Sequence, residues 1–255
     1  MAGRRVLDVG CGRGYTLRWL QRWGADVSGT QLSEPAAVRA RGLLGKGRVF
    51  VGELADARYP ARGFDCVMLW HVLEHVPDPV SLLREIARIL KPDGLVYIEV
   101  PNAGGWSARR LGRHWLAYDI PRHLVHFTPK TLERAMAAAG FVCLEQAHGS
   151  LEYSPVTLLQ SLLNAWLGGE SLLFRALSFD GGIHEEGRRT RTGTLAVHVV
   201  AAAFLAVPSV ILSVILARRR SGDTFGVYGR LVASAPAGCG AEAWSGNAIA
   251  HRGTS

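Results

Sequence analysis

The sequence predicts an α/β fold in which a doubly wound sheet carries helices on both faces. Two observations point there. Apolar runs of strand length alternate with helical patterns through the first 150 residues, as βαβ units feeding a parallel sheet do. A glycine-rich turn, Asp8-Val9-Gly10-Cys11-Gly12-Arg13-Gly14, joins the first of these runs to the first helical pattern. Strands are expected at Arg5–Val9, Asp26–Gly29, Arg48–Val51, Asp65–Trp70, Leu95–Val100 and Val142–Gln146. Helices are expected at Tyr15–Trp23, Pro35–Leu44, Val80–Leu90 and Lys130–Ala139, the last stopped by Gly140, since glycine just past a helix end closes it.

Past residue 150 the pattern changes. Two apolar pieces, Val156–Leu167 and Leu172–Phe179, precede a Gly- and Arg-rich connector. Then comes Leu195–Ala217, whose only polar members are His198, Ser209 and Ser213 and whose length suffices in principle to cross a ~30 Å hydrocarbon layer. Asp223–Leu231 reads as one more strand, and from Ser234 onward the chain is small-residue-rich and aperiodic, as disordered tails are. The expected organisation is a core at 1–150, an apolar helical insertion at 151–222, a final strand of the core at 223–233 and a disordered tail at 234–255.

Composition narrows the function classes. The chain has 255 residues, 48% hydrophobic and 20% charged, a globular balance, but its mean hydropathy of +0.12 is high for a soluble protein. Cys11, Cys66, Cys143 and Cys239 lie scattered without paired spacing, and read as reduced cysteines of a cytosolic domain. Met1-Ala2-Gly3-Arg4-Arg5 leads into Val6-Leu7-Asp8-Val9 without the longer apolar region of a signal peptide, so the catalytic domain is expected in the cytoplasm. A net charge of +8 suits either nucleic acid or an anionic membrane as partner.

A strand ending at Asp8, then Gly10, Gly12 and Gly14, then a helix, surrounds a ligand with backbone and a helix N-terminus. The spacing is G-x-G-x-G, with Tyr15 where the dinucleotide fingerprint puts its third glycine, which argues against NAD. Asp8 would repel a pyrophosphate, but it can accept hydrogen bonds from an ammonium group or hold waters near a sulfonium.

These residues resemble a known family. Val6-Leu7-Asp8-Val9-Gly10-Cys11-Gly12-Arg13-Gly14 is similar to motif I of class I S-adenosylmethionine-dependent methyltransferases. Phe64-Asp65-Cys66-Val67 with Val72-Leu73-Glu74-His75-Val76-Pro77-Asp78-Pro79 resembles the fourth-strand region of the branch that includes ubiquinone-biosynthesis methyltransferases. Leu90-Lys91-Pro92-Asp93-Gly94-Leu95 and Pro121-Arg122-His123-Leu124-Val125-His126-Phe127 resemble later segments of that branch. The resemblance implies a Rossmann-like seven-stranded sheet whose last strand, supplied by Asp223–Leu231, is antiparallel, and S-adenosylmethionine as the cofactor. It implies cofactor contacts at Asp8, Gly10, Cys11, Gly12 and Gly14, at Glu53 or the backbone of Leu54 near the adenine, and at Trp70. The residue ending strand two would bind the ribose hydroxyls; relatives hold Asp or Glu there, and this chain holds Gln31. A carboxamide gives up a charge-assisted contact worth about 1–2 kcal/mol. With motif I beginning at residue 6, the helices that precede it in relatives and help cover the cofactor would be missing, as in a truncated or lidless form.

Methyl transfer from a sulfonium needs alignment and a dry pocket, and a base only where the acceptor must lose a proton. His123 ranks first as that base, with His126 and His75 after it and His114 a further candidate. His71-Val72-Leu73-Glu74-His75 also matches the inverted zincin pattern, which needs a helix to align its ligands. Here it follows a strand and meets Pro77 and Pro79, so no metal site is expected. Glu74 and His75 are left to line the cleft or to brace the loop.

Because strands six and seven are neighbours in such a sheet, the insertion must leave and return on one side, which excludes a single membrane crossing. An interfacial or re-entrant helical hairpin follows, kinked at Pro208. Arg188, Arg189 and Arg191 before the long run and Arg218, Arg219 and Arg220 after it would meet anionic headgroups, worth roughly 1 kcal/mol each. A buried helix or half of a dimer interface competes, because apolar length does not separate protein core from lipid. The expected function is transfer of a methyl group to oxygen or carbon of a small lipophilic acceptor at the inner membrane surface. A non-catalytic membrane-associated scaffold is the alternative, and nucleic-acid methylation ranks third for want of a base-flipping motif.

Overall fold

The computed structural model describes residues 2–168, 171, 174 and 192–232; the apolar piece at Leu172–Phe179, apart from Phe174, and the tail at 234–255 lie outside these. Seven strands form one sheet in the order β3-β2-β1-β4-β5-β7-β6. They are β1 (Arg5–Val9), β2 (Asp26–Gln31), β3 (Val49–Val51), β4 (Phe64–Trp70), β5 (Leu90–Pro101), β6 (Phe141–His148) and β7 (Thr224–Leu231). The parallel register puts Leu7 beside Ser28 on one side and Val67 on the other. Interior β1 is accordingly buried from Val6 to Val9, with Asp8 the charged residue among them, as a strand covered on both faces is. Against β5, β7 runs the opposite way: Gly229 lies beside Val96, Tyr228 beside Tyr97, and the Asn102 N–H bonds the Asp223 carbonyl. This is the antiparallel last strand that the resemblance implied.

The connecting helices are α1 (Tyr15–Arg22), α2 (Glu34–Leu44), α3 (Pro79–Ile89), α4 (Trp106–Leu111), α5 (Pro129–Ala138), α6 (Ser154–Leu167) and α7 (Thr192–Arg218). Pro79 opens α3 at its first turn, where no N–H is missed, and the Asp78 side chain caps it by accepting from the Ser81 N–H at 3.0 Å. Two features exceed the sequence expectation. Strand β5 begins at Leu90 rather than Leu95, taking in Pro92 and a left-handed Asp93, residues that weaken any strand signal. Helix α4 lies between Gly105 and Gly112, too short for a periodic pattern.

By internal packing the chain divides into Met1–Tyr97 with Thr131–Leu144 and Tyr228–Ser255, and Ile98–Lys130 with Glu145–Val227. In the first unit, Leu17 and Leu20 of α1 and Ala37, Ala40 and Leu44 of α2 cover Val6, Val27 and Val49 of the sheet. At the amino ends of its strands, Asp65 accepts from the Arg5 N–H at 2.9 Å and pairs with Arg4 at 3.0 Å and Lys91 at 2.9 Å. In the second unit, Leu158 and Leu162 of α6 pack on Leu216 of α7.

Away from that contact, α7 is turned inside out. The polar residues His198, Ser209 and Ser213 of α7 are buried, while Val197, Val200, Phe204, Val207 and Ile211 are exposed. Phe204 is 77% exposed. Helix α6 buries polar and apolar residues alike: Gln160, Ser161 and Asn164 are bonded to one another or to nearby backbone beside the buried Leu158, Leu162 and Leu163, and Trp166 faces outward.

Candidate active-site residues

In the first unit the loop after β1 is shaped by glycine. Gly10, Gly12 and Gly14 all have positive φ, at +73°, +53° and +80°, a region costly for L side chains. A Cβ on Gly10 would stand 2.6 Å from Val72 Cγ2, so this position has no room either. The N–H groups of Gly10 and Cys11 both donate to the Thr30 carbonyl at 2.9 Å, and that of Gly14 donates to Cys11. Among the described residues no backbone acceptor takes the N–H groups of Gly12 and Arg13, so the loop's donors toward a ligand come from there and from the first turn of α1.

Asp8 is buried, and its Oδ1 has no partner among the described residues. Burial pushes its carboxyl up to about 7. An orphaned buried carboxylate beside a glycine cradle fits a cationic, nucleoside-bearing cofactor, because a positive ligand supplies the counter-charge that the protein withholds. Cys11 contributes differently: its thiol packs 2.7 Å from where a Gly29 Cβ would stand. Burial first, and the Asp8 charge second, push it up to about 12. It is a core thiol, and any contact with a cofactor falls to its backbone.

The remaining cofactor candidates are spread along the same strand ends. Gln31 ends β2 and turns its Oε1 back to accept the Ser33 N–H at 3.2 Å, which leaves Nε2 as its donor. Glu53 is exposed and Leu54 buried. Trp70 ends β4 with its ring 4.6 Å from that of Tyr97, which stands 4.6 Å from Tyr228. Its indole thus belongs to an aromatic row across three strands, a tie invisible to linear spacing. His71 takes a left-handed φ of +52° and its Nδ1 lies 3.2 Å from Glu74 Oε1. Leu73–His75 makes a single 3-10 turn, so the helix that a zincin needs is not formed, and Glu74 is buried.

His123 and His126 lie in the second unit. A carbonyl oxygen only accepts, so the contact of His123 Nδ1 with the Ala117 carbonyl at 2.8 Å fixes the proton on Nδ1 and makes Nε2 the basic nitrogen. His126 is the mirror case, donating from Nε2 to the Tyr118 carbonyl at 3.0 Å. Their rings are 6.4 Å apart, and that of His126 lies 5.0 Å from Tyr118 and 6.5 Å from Trp115. Behind this row sits a group that sequence spacing missed. Asp223 is buried, and burial pushes it up to about 6 although the Ser107 hydroxyl and the Trp115 indole approach it. None of the three closes a full hydrogen bond within the described residues.

Comparison with known proteins accords with this geometry. The profile of a family described as a methyltransferase domain matches residues 2–146. A ubiquinone biosynthesis O-methyltransferase of Thiobacillus denitrificans is 34% identical over 173 residues, 64% of this chain and 74% of that protein. Among solved structures, a phosphoethanolamine N-methyltransferase of Haemonchus contortus superposes with a TM-score of 0.57 at 19% identity, covering 91% of this chain and 49% of that one. Geranyl diphosphate C-methyltransferase of Streptomyces coelicolor gives 0.52 at 17% identity, covering 91% and 76%.

Proposed function

Since the chain belongs to the methyltransferase-domain family and is an S-adenosylmethionine-dependent methyltransferase, we propose that it methylates oxygen or carbon of a small lipophilic acceptor at a membrane surface. The observation that supports the acceptor class is the face of α7, where Val197, Val200, Phe204, Val207 and Ile211 are exposed while His198, Ser209 and Ser213 are buried. In water such a face is costly at roughly 25 cal/mol per Å²; against lipid it is at rest. The name of the 34% identical relative adds weight to oxygen as the acceptor atom.

The loop residues Gly12 and Arg13 would hold the cofactor through their N–H groups, Asp8 would face its positive charge, and Gln31 would take the ribose. When bound, S-adenosylmethionine supplies a methyl group on an already activated leaving group. The protein's part is then to orient the acceptor and remove its proton. His123 is the base in this reading, receiving a hydroxyl proton on Nε2 while its Nδ1–H stays on Ala117. His126 and His75 stand behind it as candidates. His123→Asn keeps a donor for the Ala117 carbonyl but removes the base. It is expected to lower kcat by about 10²–10⁴ with cofactor affinity unchanged; an undiminished kcat removes His123 from the role.

The test of the whole reading is mass spectrometry of products after membrane extracts are incubated with the protein and labelled cofactor, together with detergent-free fractionation. A labelled lipophilic product and sedimentation with membranes are expected. If the protein stays in the supernatant, and a variant lacking Gly193–Arg220 behaves identically, the membrane part fails.

A further inference from the structure

A cavity under the last turn of α7 is unused by the methyl-transfer reading. It lies wholly in the second unit, measures about 320 Å³, and is lined by His148, Ser150, Leu151, Ser154, Val214 and Arg218 among others. Its walls divide by chemistry. Leu151 and Val214 make one side apolar, and the exposed Ile211 and Ile215 stand on the same helical stripe as Arg218, at i, i+4 and i+7.

The other side is cationic without a counter-charge. Arg218 lines the cavity and Arg219 and Arg220 follow it; among the described residues no carboxylate pairs with any of them. The His148 ring is held through Nε2 against Gln146 Oε1 at 3.2 Å and stacks on Phe225, while its buried Nδ1 has no partner among the described residues. Its pKa is lowered by burial first and by the Arg220 charge second, so the field of Arg220 reaches the cavity wall. Ser150 adds a hydroxyl to the lining.

Arg220, two residues past the lining Arg218, is held against its own backbone preference. The Ser221 N–H closes on the Leu216 carbonyl at 2.8 Å and the Arg220 N–H on Ala217 at 3.0 Å, the paired bonds of a Schellman helix end. Arg220 occupies the left-handed position of that motif at φ +53°, which glycine usually fills. A cation there complements the helix dipole, but Arg218 and Arg219 supply that from ordinary backbone. Arg220 thus adds a third guanidinium at the helix end, and among the described residues no acid is paired with it.

We propose that this cavity receives the phosphate headgroup of an anionic membrane lipid, held by Arg218, Arg220 and Ser150, with the lipid chain laid along Ile211 and Ile215. The proposal rests on the membrane reading of α7 and names the lipid it meets. Guanidinium and hydroxyl donors suit phosphate oxygens, and the apolar stripe beginning at the cavity suits a chain rather than a free phosphate.

The test is flotation of the full chain with vesicles of phosphatidylcholine alone and with vesicles in which part of it is replaced by phosphatidylglycerol. Affinity is expected to be about tenfold or more higher for the anionic vesicles and to fall with salt. Arg218→Gln, which changes the cavity lining, and Arg220→Gly, which removes the charge that acts on His148, should each remove most of that preference, and Arg219→Gln, which does neither, should remove less. Arg220→Gly restores the usual residue at a left-handed position, so its melting temperature should hold or rise, which separates lost binding from lost folding. Equal flotation with both vesicles overturns the headgroup site and leaves the membrane reading standing; no flotation with either overturns both. An Arg219→Gln loss equal to that of Arg218→Gln also overturns the site, since diffuse attraction needs no cavity.

Discussion

Asp8 carries a carboxylate into the sheet, where burial pushes its pKa up to about 7. The unfolded group ionises near 3.8, so the folded state binds the extra proton between those values, and stability falls as pH rises through that window. Asp8→Asn is accordingly expected to raise the stability of the cofactor-free protein at pH 8 by about 2–4 kcal/mol, read from chemical denaturation. The same change should weaken S-adenosylmethionine by about 2–5 kcal/mol, as loss of one partner of a buried charge pair does. In the natural protein, cofactor affinity measured by calorimetry should rise with pH through about 7, as the carboxyl ionises. Gln31 tests the opposite direction. Gln31→Glu restores a charge-assisted ribose contact and should tighten the cofactor about 5- to 30-fold, the equivalent of 1–2 kcal/mol; unchanged affinity would place the ribose elsewhere.

At the scale of elements, one side chain holds three strands together. Asp65 accepts from the Arg5 N–H of β1 and pairs with Lys91 of β5 and with Arg4. These bonds, Lys91 foremost, hold its carboxyl down to about 2. A depressed carboxylate pKa contributes stability that is present above the unfolded value and is lost as pH falls toward the folded one. The contribution of Asp65 should therefore disappear between about pH 4 and pH 2. Asp65→Asn is expected to cost about 1 kcal/mol at pH 7, since part of the network is exposed and screened, and to flatten the acid limb of the melting profile; a limb unchanged in the variant would show that the tie is idle. The motif containing Asp65 was legible in the sequence as a family resemblance. Its work as a tie was not, because Arg4, Asp65 and Lys91 are brought together by strand pairing.

Across the whole molecule, the proposed membrane attachment is tested on the outward face of α7. Replacing Phe204 and Ile211 together by Lys leaves the inward face intact, because both point away from it. The double variant should move from the membrane fraction to the supernatant with its melting temperature within a few degrees of the natural protein, since surface substitutions seldom change stability by more than about 0.5 kcal/mol. A double variant that still sediments with membranes would assign the attachment to another surface.

The first strand, the glycine loop and its helix were legible residue by residue because they are local: Val6, Leu7 and Val9 set the strand, and three left-handed glycines fall where the backbone needs them. The antiparallel place of β7 came from resemblance rather than from its own pattern. Only the tertiary structure decided which way the polar residues of the apolar helices face, that Cys11 packs over Gly29, that Trp70 joins Tyr97 and Tyr228, and that Asp223 meets Ser107 and Trp115. Each of these depends on residues far apart in the chain whose approach is set by packing. Periodicity names a helix or a strand, but burial and its desolvation cost arise only when a distant element covers one face of it.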